Sequence, residues 1–180
     1  PPPPPPPPPP PHTTTRVGSS AASDVYKRQD GPFFVDELFQ RKFAHPAPDH
    51  GIAVISFYRN DWDHFLPVCY TNFLPYEEVI LVGGAMTDGR AFGHMTDDLP
   101  EKIRASGGIY YHVLKFAFDK FKNECEAYFG HAGDQRAYDV DIQAGFEPTG
   151  HQHLIAHFHK PLTTQRKDYL IEKIHSIGPF

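Results

Sequence analysis

This chain is poor in sulfur and nearly devoid of tryptophan: its 180 residues include two cysteines, Cys69 and Cys125, two methionines, and one tryptophan, Trp62. Two cysteines are too few for a disulfide framework, so the expected setting is a reducing cytoplasm. No apolar run approaches the roughly 20 residues that a bilayer span needs, and no charged start leads into an apolar stretch. Neither a membrane partner nor a secretory signal is therefore expected. Lysine and arginine number 17 against 22 aspartates and glutamates, a net charge of −5 with no basic face. That balance gives no reason to expect nucleic acid. No internal repeat is visible.

What is plentiful is proline and histidine, with 20 and 12 residues. Pro1 to Pro11 is an unbroken proline run and predicts an extended polyproline II rod. The residues from His12 to Asp30 are polar and lack either hydrophobic period, and Val17 to Gln29 resembles translated sequencing-adapter read-through. Residues 1–30 are accordingly set apart as a disordered, non-native low-complexity tail. Residues 31–180 remain as a single domain, about 150 residues and enough for one core.

Within that domain the hydrophobic period switches repeatedly. Phe33 to Phe43 carries apolar residues near helical spacing and predicts a short amphipathic helix. Gly51 to Tyr58 is almost continuously apolar and predicts a buried strand. His64 to Leu74 reads as a second strand, with Pro67 marking an edge, a bulge or a late start. Val79 to Met86 reads as a third, and the three form an antiparallel meander. Thr87 to Ser106 is a long polar connection, with a short helical turn near Asp98 to Ile103. After Gly108 a strong helix follows, with Ile109, Val113, Phe116, Ala117 and Phe121 on one side.

Near Asn123 the period becomes alternating, which predicts a strand and hence a parallel pair across a β–loop–α–β unit. Asp134 fits the N-cap of a further helix, with Gly145 and Phe146 as its Schellman ending. His151 to His159 alternates again as a strand, and Leu162 to Ile177 predicts a last amphipathic helix. The expected fold class is mixed α/β, in layers: a mostly antiparallel central sheet with helices on both faces.

The chemistry centres on the turn Arg104-Ala-Ser-Gly107-Gly108 that opens the strong helix. Paired glycines there let a ligand approach the backbone and leave the first N–H groups free for an anion. Three patterns resemble the GNAT-type N-acyltransferase superfamily, across roughly Gly51 to His159. The first is this turn, similar to the family's Arg/Gln-x-x-Gly-x-Gly/Ala loop, although Ile109 stands where a small residue belongs. The second is Asp134-Gln-Arg-Ala137-Tyr-Asp-Val-Asp141-Ile-Gln-Ala-Gly145-Phe146, similar to the family's late helix. The third is Glu77-Glu-Val-Ile-Leu-Val-Gly-Gly-Ala85, similar to its fourth strand.

The resemblance implies an acetyl-CoA or other acyl-CoA co-substrate, no metal, and direct attack of an amine on the thioester. The amine belongs to a small molecule or a side chain, and a homodimer stays open. Arg104, Gly107 and Gly108 would hold the pyrophosphate; Gly83 and Gly84 would let the pantetheine approach the strand or form a bulge there; a backbone N–H near Val82 to Gly84 would be the oxyanion donor; Asp134 belongs to the same binding set. Glu77 or Glu78 is the candidate base, against a reading as solvated strand-edge carboxylates. Asp141 stands where the family places its tyrosine acid, and an ionised carboxylate cannot protonate a thiolate unless its pKa is raised. Tyr138 is the nearest tyrosine, one helix turn away.

Two other readings compete. One keeps the fold and the CoA site without turnover. The other uses His151, His153, His157 and His159 on one strand face as metal ligands, as a cupin-like protein or a hydrolase would. Such a strand spreads four imidazoles over roughly 27 Å, so one ion could reach only an adjacent pair. His94, His112 and His131 read as structural, Cys125 reads as core, and Trp62 either borders a pocket or caps the core.

Overall fold

Apolar character that continues from Ala53 to Phe57 requires burial on both faces, and the computed structural model buries every one of these residues. The structure describes residues 15–17, 23–28, 31–60, 64–96 and 98–180. Helix α1 (Gly31–Phe43) leads into strands β3 (Ile52–Arg59), β4 (Phe65–Tyr76) and β5 (Val79–Thr87), which pair as the expected antiparallel meander. A 3₁₀ turn (Ala91–His94) and the short α2 (Leu99–Ala105) fill the long connection. Then come α3 (Ile109–Phe121), β6 (Ala127–His131), α4 (Gln135–Ala144), β7 (Glu147–Pro148), β8 (Leu154–His157) and α5 (Thr164–Ile177).

Ahead of α1, β1 (Thr15–Val17) and β2 (Ser23–Arg28) extend the sheet beyond β3, so the order across it is β1-β2-β3-β4-β5-β6-β8-β7. Both strands fall inside the segment 1–30 that the sequence sets apart as a tail. The polyproline run and Trp62 lie outside the described residues. All described strand pairs are antiparallel except β5 with β6, the parallel pair that the β–loop–α–β reading requires.

Alternation along the strands sorts side chains to two faces. Val54, Phe73, Ile80, Val82, Tyr128 and Ile155 face α3 and α4. Their neighbours turn the other way: Ala53, Ile55 and Tyr70 meet α1, while Leu81, Phe129 and Leu154 meet α5. Helices therefore cover both faces of the sheet, as expected. α3 is the central helix, with Leu114, Ala117 and Phe121 fully buried. Burying side chains the size of Leu114 and Phe121 contributes about 1.5–3 kcal/mol each. Phe116 is only half-buried, and Leu114 and Phe118 take the inward places that the sequence reading left to it.

Two register irregularities bend the meander. Ser56 pairs with Cys69 but Phe57 pairs with Pro67, which leaves Val68 as an extra residue. Pro67 thus sits beside a bulge, where a missing N–H costs least. On the other side, Tyr70 pairs with Met86 and Asn72 with Gly83, so Gly84 and Ala85 together oppose Thr71. Gly84 has φ of +47°, a backbone position that glycine occupies without penalty.

One strand differs from expectation. His151–His159 is not a continuous strand: residues 151–153 form a turn, with His153 at φ +65°, and pairing covers only Leu154–His157. The turn forms because His153 uses Nδ1 against the carbonyl of Ala132 at 3.1 Å, while Ala132 N–H donates back to the His153 carbonyl at 2.9 Å. That exchange ties the end of β6 to the start of β8.

Candidate active-site cleft

Parallel pairing joins Val79–Val82 of β5 to Ala127–Gly130 of β6 and then stops. β6 ends one residue later at His131, whereas β5 runs on to Thr87. Past Val82 the side of β5 that faced β6 has no strand partner among the described residues, and the bulge at Gly84 turns it further away. Beyond His131 the chain crosses Ala132 and Gly133 and enters α4 at Asp134, whose carboxylate caps the helix by accepting from Ala137 N–H at 3.0 Å. The diverging strands leave a cleft of about 170 Å³ between Val82–Ala85 on one wall and Gly130–Asp134 on the other.

Three side chains define its inner surface. Tyr110, from the first turn of α3, donates its hydroxyl to Oδ1 of Asp141 at 2.9 Å. Asp141 sits on the inward face of α4 and is 5% exposed. Phe146 completes the lining after the Schellman end of α4, where Phe146 N–H donates to the carbonyl of Asp141 and Gly145 N–H to that of Ile142. Phe180 also lines the cleft, its backbone near Gly83 and its ring 5.7 Å from that of His131.

The electrostatics of this cleft come from burial. Removal from water pushes the Asp141 carboxyl up to about 6, and the Tyr110 hydrogen bond opposes that rise. Burial, and then the Asp141 charge, pushes the Tyr110 phenol upward. Burial first, and then the neighbouring His153 and His175, lower the His131 imidazole. No lysine or arginine lines the cleft among the described residues.

The residues expected in the site divide into three groups. Val82, Gly83, Gly84, Asp134 and Asp141 all line the cleft. Gly107, Gly108 and Arg104 stand just before the helix that supplies Tyr110. Both glycines have positive φ, +102° and +88°, and a methyl on Gly107 would come within 3.0 Å of the Tyr111 ring and 3.1 Å of Gln143. Gly107 therefore lets α3 pack against α4, whereas Gly108 opens onto free space and α3 has no side-chain cap. Arg104 is spent locally, donating to the carbonyl of Pro100 at 3.2 Å and lying 3.7 Å from Glu101. Tyr138 packs half-buried against the main core.

Glu77 and Glu78 form the third group and do not reach the cleft. They make the β4–β5 turn, and Glu78 precedes Val82 by four residues, roughly 13 Å along a strand. Lys173 of α5 binds both carboxylates, and Arg166 bridges Glu78 to Glu126. Lys173 first, with Arg166 adding to it, holds the Glu78 carboxyl below its usual range, which makes it a poor proton acceptor.

The histidines are likewise committed elsewhere. His151 stacks on His175 with centroids 3.7 Å apart and meets Glu172 at 3.0 Å. His157 and His159 contact the carbonyls of Gly145 and Lys122. Among the described residues no three His, Cys, Asp or Glu side chains converge so that they could hold a metal ion. The turn at 151–153 takes the first His-x-His pair off the strand that carries His157. Tyr110, His131 and Phe180 are lining residues that sequence reasoning missed. A tyrosine in the first turn of a helix has no distinguishing pattern, and only the fold brings it to Asp141.

No protein-family model matches this chain, and no curated protein matches it by sequence. Among solved structures, the chain is similar to the ribosomal-protein-S18-alanine N-acetyltransferase from Escherichia coli. The identity is 11% and the TM-score 0.47, with 85% of this chain and 97% of that one covered. It is also similar to an acetyltransferase (GNAT family) from Bacillus anthracis, at 10% identity and a TM-score of 0.41, with coverages of 79% and 95%. Among the described residues no helix is long and apolar enough to cross a membrane.

Proposed function

We propose that the protein is an acyl-CoA-dependent N-acyltransferase that moves an acetyl group to an amine of a small molecule or a side chain. The observation that carries this reading is the unpartnered edge of β5 beyond Val82, facing a cleft with a buried carboxylate. A strand edge with free N–H and C=O groups pairs with an extended ligand that itself carries amides. The pantetheine arm of an acyl-CoA is such a ligand, and Gly83 and Gly84 keep side chains out of its path. A cleft of about 170 Å³ suits the acyl-thioester end and excludes the nucleotide, which would lie outside. The uncapped first turn of α3, opened by Gly108, is the anion site for its pyrophosphate. Arg104 adds a cation there on leaving Glu101, and Asp134 holds α4 in place on the opposite wall. The free, buried thiols of Cys69 and Cys125 fit a cytoplasmic setting.

Thermal melting of the full chain with acetyl-CoA, with free CoA and with zinc tests this reading. Both CoA species are expected to raise Tm, by an amount equivalent to about 2.7 kcal/mol at a hundredfold excess over Kd. Thiol release across a panel of amines should then follow. No shift with either CoA species overturns the reading, and a shift without thiol release would leave a binding module.

A further inference from the structure

Asp141 is the one charged side chain that is buried among the described residues. A carboxylate in that position is costly unless a cation or several donors compensate it. It has one donor, the Tyr110 hydroxyl on Oδ1, and its other oxygen takes no hydrogen bond among the described residues. A packing role would be served better by asparagine or leucine. The carboxylate nevertheless lines the cleft, opposite the free edge of β5.

We propose that Asp141 carries the proton of the acyl transfer, from the attacking amine nitrogen to the departing sulfur, and that Tyr110 is the residue that positions its carboxylate. This rests on the acyltransferase reading above. The amine nitrogen attacks the thioester carbonyl carbon; a C–N bond forms and the carbonyl π pair moves to oxygen. The nitrogen proton passes to the free carboxylate oxygen of Asp141. As the carbonyl reforms, the C–S bond breaks with its electron pair on sulfur, and Asp141 returns the proton there. Amine and thioester become amide and thiol, and Asp141 ends ionised as it began. One group can do both because burial raises its proton affinity while leaving it ionised at neutral pH.

The step requires ionised Asp141 at the outset, so activity should rise with pH through a limb near 6. The titratable groups around it are Tyr110 of α3, which bonds it, and His131 at the end of β6 and Asp134 at the cap of α4, which share its cleft. Cys69 of β4 stands behind Tyr110. Lys115 and His157 are engaged by the carbonyls of Ala144 and Gly145 at the far end of α4. His131 is the other titratable ring in the cleft lining, so its removal is the control for the assignment.

The test is kcat/KM for thiol release from acetyl-CoA, measured from pH 5 to 9 with an amine that the protein accepts. Asp141→Asn should lower it by about 100- to 10,000-fold and abolish the limb, while the Tm shift with acetyl-CoA persists. Tyr110→Phe removes the donor that opposes the rise in proton affinity and should move the limb to higher pH. His131→Gln should keep the limb near 6. If acetyl-CoA does not shift the melting of the unaltered protein, the acyltransferase reading has failed and this proposal falls with it. If it binds and turns over while Asp141→Asn keeps both rate and limb, this proposal alone is overturned.

Discussion

Val82 and Gly130 form the last cross-strand pair of β5 and β6, and one residue later the two chains separate. The separation has two local causes. β6 runs out at His131, where its chain must turn into α4, and β5 bulges at Gly84, where two residues oppose Thr71. A parallel pair that continued would have closed the sheet over this position. The open edge is therefore built by a strand end on one side and by a glycine-dependent irregularity on the other.

The two glycines of that edge should respond differently to alanine. Gly84→Ala meets no atom within 4 Å, but φ of +47° makes the backbone itself pay, by about 1–2 kcal/mol. Gly83→Ala lacks that constraint, and its methyl would lie 3.9 Å from the Phe180 backbone. Urea denaturation should show Gly84→Ala destabilised and Gly83→Ala nearly unchanged. Acetyl-CoA titration should show that both weaken binding.

A charge at the mouth of α3 is best placed at Gly108. Glutamate at Gly107 would collide with Tyr111 and Gln143 and confound packing with binding. Gly108→Glu points into open space and puts a negative charge at the helix N-terminus, where it repels phosphate. Loss of acetyl-CoA binding is expected, with Gly108→Ala as the control for the shared φ of +88°. Equal affinity in the two variants would show that pyrophosphate is held elsewhere.

Asp141 should weaken the fold at neutral pH. Below the ordinary aspartate value of 3.8 both folded and unfolded chains carry the proton, and nothing is lost. Between 3.8 and about 6 the folded chain binds more proton than the unfolded one, so stability falls as pH rises through that window. The span corresponds to roughly 3 kcal/mol. Asp141→Asn keeps an acceptor for Tyr110 and has no charge to bury. Urea midpoints should show the variant more stable than the unaltered protein at pH 7.5, with the gain fading toward pH 3.5.

Glu77→Gln and Glu78→Gln should leave turnover unchanged. Their carboxylates bind Lys173 and Arg166 at the end of β5 away from the cleft, and Lys173 depresses Glu78 as a base. A large drop in kcat/KM with normal melting would return one of them to the mechanism.

Element identity was legible in the residues themselves because its causes are local. The apolar run of β3, the 3.6-residue stripe of α3, the Asp134 cap and the Gly145–Phe146 ending each act within a few residues of themselves. The site was legible only in part. Tyr110 and Asp141 meet across 31 residues, and Lys173 reaches back 95 residues to Glu78. Those meetings depend on where each chain reversal returns a side chain, and no spacing encodes that. The two His-x-His pairs show the limit most plainly: their alternation reads as one strand, but a contact between His153 and Ala132 breaks it into a turn. Sequence alone determined the parts and their order from α1 to α5, the two-residue β7 apart. Tertiary structure decided that a buried carboxylate, and not a glutamate pair or a row of imidazoles, faces the open edge of the sheet.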